Sequence, residues 1–101
     1  MGDVFLDVDL IFDIIDKTDR KIHLSKERWS HIRMEHPEIL EPEELIKVLQ
    51  APIRILLSDR DSNVAWYFIY NKLRRRYLKV SVRYLNGEGY VITTHYTAKI
   101  Q

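Results

Sequence analysis

From Tyr77 to Arg83 apolar and polar side chains alternate without a break, Leu78, Val80 and Val82 on one side, Tyr77, Lys79, Ser81 and Arg83 on the other. A period of two marks an extended strand, because successive side chains leave opposite faces of the pleat. One face of such a strand meets a core and the other meets water, which points to an antiparallel sheet covered on one side. Tyr90–Ile100 alternates as well, after the turn residues Asn86-Gly87-Glu88-Gly89. An odd loop length, three residues (Asn86–Glu88) or five, aligns the two apolar rows, whereas an even one mixes polar with apolar on each face. That register opposes Val82 to Ile92, Ser81 to Thr93 and Lys79 to His95. It predicts one polar face carrying Lys79, Ser81, Arg83, Thr93, His95 and Thr97.

The remaining elements follow from punctuation. Val4–Ile15 is rich in apolar and β-branched residues, Asp16-Lys17-Thr18-Asp19 is a turn cluster, and Lys21–Leu24 alternates again, which predicts a β-hairpin. Ser25 is placed to cap a helix over Lys26–Glu35, with Glu27 in its first turn and Pro37 ending it by disfavouring helical geometry at His36. A second helix is expected over Pro42–Gln50, with proline in its first turn and Leu45, Ile46 and Leu49 at helical spacing. Strands are then expected at Ile53–Ser58, Val64–Tyr70, Tyr77–Leu85 and Tyr90–Ile100. The predicted plan is α+β: an N-terminal β-hairpin, two helices, then a four-stranded antiparallel sheet, all in one domain spanning 1–101.

Composition narrows the chemistry. None of the 101 residues is cysteine, which excludes disulfides, thiolate catalysis and cysteine-ligated metal centres. No apolar run is long enough to span a membrane, and Met1-Gly2-Asp3 does not read as a secretion signal, so a soluble cytoplasmic domain is expected. Residues 1–50 carry 12 Asp/Glu against 7 Lys/Arg, while residues 51–101 carry 3 against 9. Such asymmetry suits an anionic partner for the second half, or attraction between the halves within one fold. The basic run Arg74-Arg75-Arg76, between Tyr70 and Tyr77, offers phosphate contact and stacking, or is a solvated connection.

Cations, hydroxyls and an imidazole on one sheet face are the groups that cut a phosphodiester without a metal. A base takes the ribose 2′-OH proton, an acid protonates the leaving 5′-oxygen, and fixed cations hold the charge growing on phosphorus. The same pattern is also that of an ordinary solvated sheet face. Of the helical histidines, His31 can pair with Glu35, and His36 falls on the stripe of Trp29 at the helix end. His31 and His36 are five apart, about 140° around a helix, and the pair lacks metal-ligand spacing and an evident third ligand; no metal and no cofactor is expected.

Several segments together are similar to a known family: Asp16–Ile22, Glu27-Arg28-Trp29-Ser30-His31-Ile32, His36-Pro37-Glu38, Leu49–Pro52, Tyr77–Arg83 and Gly89–Thr97. Over about residues 10 to 100 the chain resembles the phage barnase–EndoU–colicin–RelE-like (BECR-fold) nuclease domains. The resemblance implies helices on a four-stranded antiparallel sheet and metal-independent endoribonuclease activity. Carried over by motif, it points to His36, with His31 beside it, to Arg83 and to Thr93. Position 95, commonly aromatic in that family, is His95 here. Lys79, Ser81, Thr97, Arg74, Arg75 and Arg76 are then the expected substrate contacts, RNA is the expected partner, and a toxin of this kind is expected to be held by an antitoxin or immunity protein. A non-catalytic RNA-binding module or a protein-interaction module on the same scaffold is the alternative.

Overall fold

Described over residues 9–101, the structure is a computed structural model in which the strands are β1 (Leu10–Ile15), β2 (Lys21–Ser25), β3 (Arg54–Leu57), β4 (Val64–Asn71), β5 (Arg76–Tyr84) and β6 (Glu88–Thr97). The helices are α1 (Lys26–Glu35) and α2 (Pro42–Gln50), over the spans that their punctuation implies. Ser25 Oγ accepts from Arg28 N–H at 3.0 Å at the start of α1, and the Glu44 carboxylate accepts from Leu40 and Glu41 N–H, each at 3.0 Å, before α2. Residues 4–8 of the expected hairpin lie outside the described residues.

The sheet corrects the expected plan. The class is α+β, but all six strands form one mixed sheet, in the order β1-β2-β6-β5-β4-β3, rather than a four-stranded antiparallel sheet beside a separate hairpin. The join is a short parallel ladder, Lys21–His23 against Glu88–Tyr90. Gly89 lies at its centre, opposite Ile22. A Cβ there would stand 2.5 Å from the Arg83 carbonyl oxygen and 3.1 Å from Ile22 Cδ1, so only a bare backbone lets β2 and β5 flank β6 this closely.

The β5–β6 register is also part expected and part corrected. Lys79 opposes His95 and Ser81 opposes Thr93, but a bulge then shifts the ladder, so that Val82 opposes Val91 and Arg83 opposes Tyr90. Ile92 is the extra residue. Val91, not Ile92, therefore joins Val80 and Val82 in the core. That core lies between the sheet and the helices: Ile22, Leu24, Tyr67, Leu78 and Val91 from strands meet Ile32, Leu45, Val48 and Leu49 from helices. Tyr67 also reaches a buried polar knot, its hydroxyl donating to Asp16, whose other oxygen accepts from Thr18 N–H (2.9 Å), Thr18 Oγ1 (2.8 Å) and Arg20 N–H (2.9 Å).

Because β2 pairs only with the start of β6, the chain leaves the sheet at Ser25 and α1 runs on past the rest of β6. This brings the end of α1 beside the end of β6. Among the described residues no helix is long and apolar enough to cross a membrane.

Candidate active site

His36 caps α1, with φ −134° and ψ 69°, and its N–H still donates to the Ile32 carbonyl at 2.7 Å. The following turn is fastened from both sides. Ile39 N–H donates to the His36 carbonyl at 3.1 Å while its side chain is fully buried. Arg33 Nη1 donates to the carbonyls of Pro37 (2.6 Å) and Ile39 (2.8 Å). These bonds thus fix the backbone that carries His36 and Glu38. The Glu38 carboxylate stands 3.5 Å from His36 Nδ1.

His95 meets His36 from β6. The two rings are stacked, with centroids 5.8 Å apart and planes inclined by 29°. Directly across the ladder from His95 is Lys79. Its ammonium lies 4.1 Å above the Trp66 ring and 5.9 Å from that of Phe68, and donates to the Gln101 carbonyl at 3.0 Å. Burial pushes the Lys79 ammonium below its ordinary pKa. Burial likewise pulls His95 down from 6.5; Lys79 and then His36 add to that fall, and the Glu38 carboxylate opposes it. At neutral pH His95 is therefore a neutral imidazole able to accept a proton, next to a second imidazole and a partly buried cation.

The other expected residues divide. Thr93 and Ser81 form the next pair along the same face, with Ser81 nearly buried. Thr97 opposes Tyr77 and its hydroxyl donates to the Lys99 carbonyl at 3.2 Å. Arg83 stands four residues from Lys79, about 13 Å along the strand. Its guanidinium is held at 2.7 Å by Asp61, which the bond to Arg83 keeps below the usual carboxylate range. The structure does not bring Arg83 to the histidine pair. His31 is exposed on α1, apart from this cluster.

Of the three arginines, Arg74 packs 4.7 Å over the Tyr96 ring and donates to the Glu38 carbonyl at 3.2 Å. Arg75 is exposed in the turn with φ 57°, and Arg76 is exposed at the start of β5. Trp66 and Phe68 around Lys79 escaped the sequence argument, although the alternation of Val64–Tyr70 already puts them on one face. The partnership of Asp61 with Arg83 had no local signal. Among the described residues no three His, Asp or Glu side chains gather to hold a metal ion.

Comparison with protein families, with curated proteins and with solved structures finds no match to this chain.

Proposed function

We propose that the protein is a metal-independent endoribonuclease whose proton-transfer pair is His36 and His95. The observation that carries this reading is the stacked pair at 5.8 Å, with Lys79 across the ladder from one ring and Glu38 beside the other. His95, held neutral, removes the 2′-OH proton; the 2′-oxygen attacks phosphorus, the bond to the 5′-oxygen breaks, and His36 returns a proton to that oxygen. Lys79 stabilises the charge gathering on the phosphoryl oxygens. The products are a 2′,3′-cyclic phosphate and a 5′-hydroxyl. On this reading the protein acts in the cytoplasm, and the resemblance to toxin-like and phage-related nucleases adds restraint by an antitoxin or immunity protein.

The test uses the purified chain with RNA oligonucleotides. Cleavage is expected to persist in EDTA, to leave cyclic phosphate ends, and to fail where the attacking ribose is 2′-deoxy. A chain that cuts no RNA, with or without ribosomes, or that cuts the 2′-deoxy substrate, rejects the mechanism. Binding without cleavage would favour the module reading instead.

A further inference from the structure

A groove of about 460 Å³ opens between the turn after α1 and the β4–β5 turn, lined by Glu38, Arg74, Arg76 and Tyr96. That size suits a small ligand. Glu38 lines this groove and its carboxylate also stands 3.5 Å from His36 Nδ1, so the groove borders the histidine pair at that residue, with Tyr96 and His95 leaving opposite faces of β6.

Its cations are built to different degrees. Arg74 is already ordered, stacked on Tyr96 and bonded to the Glu38 carbonyl, so little side-chain freedom remains to be lost on binding. Tyr96 is itself fixed: its hydroxyl donates to Glu44 at 3.3 Å and accepts from Asn71 Nδ2 at 3.4 Å. Arg76 enters from the start of β5, opposite Asn71. A planar guanidinium binds phosphate oxygens in a fork and stacks on flat rings. The Glu38 carboxylate lines the groove and Glu44 engages the Tyr96 hydroxyl beside it, so an anion held there depends on both arginines.

We propose that this groove is the subsite for one nucleotide of the RNA strand next to the scissile phosphate, with Arg74 and Arg76 on that nucleotide's phosphate; the assignment of strand and scissile phosphate rests on the nuclease reading above. Arg75, at the exposed tip, lies outside it.

Binding of a 2′-O-methyl RNA tetranucleotide, which has no free nucleophile, tests the subsite by fluorescence anisotropy across a salt series. Arg76→Ala should weaken binding about tenfold at low salt, the loss of one charge-assisted contact. It should also lower the log–log salt slope by about 0.7. Arg74→Lys, which keeps charge but loses the planar fork, should weaken binding with the slope unchanged. Arg60→Ala removes the same charge from the β3–β4 turn, about 23 Å away along β4, and should leave both values as in the wild type. The subsite is overturned if Arg76→Ala has no effect, if Arg60→Ala matches it, or if inorganic phosphate or a free nucleoside 5′-monophosphate binds as tightly as the tetranucleotide. Cleavage assays separate this from the nuclease reading. Cutting at wild-type rates by the Arg74 and Arg76 variants removes the subsite alone, and the binding pattern in a chain that cuts nothing removes the chemistry alone.

Discussion

Lys79 stands directly opposite His95 in the β5–β6 ladder, its ammonium over the Trp66 ring, and its charge adds to burial in weakening that imidazole's hold on a proton. Because burial is the larger cause, removing the charge should restore only part of the ordinary value. In an NMR titration the His95 midpoint is expected below 6.5, higher in Lys79→Met though still below 6.5, and lower in Glu38→Gln, since Glu38 works the other way. The linkage to stability has a definite sign. A folded pKa below the unfolded one gives stability that is complete above pH 6.5 and is lost as pH falls through the folded value. Lys79→Met should therefore lose less stability than the wild type across that acidic window. A midpoint that falls in Lys79→Met would refute the pairing.

The same geometry ranks three substitutions by rate. His36→Ala and His95→Ala should each lower kcat by about 10²–10⁴ if they carry the proton transfers. Arg83→Ala should cost less than about tenfold, because Asp61 already engages its charge and it lies well along β5 from Lys79. Single-turnover cleavage of one oligonucleotide checks the order. A loss in Arg83→Ala equal to that in the histidine variants would mean the guanidinium leaves Asp61 to reach the phosphate.

Why some of this was legible and some was not comes down to distance along the chain. Ser25, Pro37, Pro42 and Pro52 act on their own neighbours, and the helices between them have the expected bounds. The alternation around Val80 likewise aligned Lys79 with His95 and Ser81 with Thr93. It could not choose between Val91 and Ile92 for the core, since both are apolar and β-branched. That choice comes with the bulge at Ile92, close to Gly89, whose bare backbone admits Ile22 from a strand more than sixty residues earlier. The parallel join of β2 to β6 is non-local in the same way, which is why four antiparallel strands were expected where six mixed strands form. His36 and His95 could be nominated one by one. Their contact depends on α1 passing the uncovered part of β6, and no local pattern encodes that path.

The Asp16–Tyr67 contact ties the β1–β2 turn to β4, three strands away from β2, and burial first, then bonding to Asp16 and Tyr84, raises the Tyr67 phenol far above its ordinary pKa. Tyr67→Phe removes one donor from Asp16 and one partner from Tyr84, whose hydroxyl lies 2.6 Å away. The expected cost is about 1–3 kcal/mol, the penalty for a buried polar group left without its partner. Asp16→Ala should cost more, because Thr18 N–H, Arg20 N–H and the Tyr67 hydroxyl lose their acceptor together. Urea unfolding of both variants checks the ranking. Equal, near-zero costs would show that water replaces the carboxylate freely.

Two glycines at the β5–β6 turn should respond to a side chain to different degrees and for different reasons. Gly87 has φ +78° with open space around its missing Cβ, so the constraint there is conformational. Asparagine tolerates that region better than other residues, and Gly87→Asn should cost less than about 1 kcal/mol. Gly89 is limited by contact instead. Its Cβ would stand 2.5 Å from the Arg83 carbonyl oxygen, a backbone atom that cannot rotate away, and 3.1 Å from Ile22 Cδ1. Gly89→Ala must then push β6 from β5 or from β2, opening the sheet where the hairpin joins it. Overpacking of this kind costs about 1–3 kcal/mol. For a domain of this size that lowers Tm by roughly 5–20 °C. Hydrogen exchange should locate the damage, with faster exchange along the ladder between Lys21–His23 and Glu88–Tyr90. If Gly89→Ala melts with the wild type while Gly87→Asn does not, the close approach at Gly89 is not what holds β2 against β6.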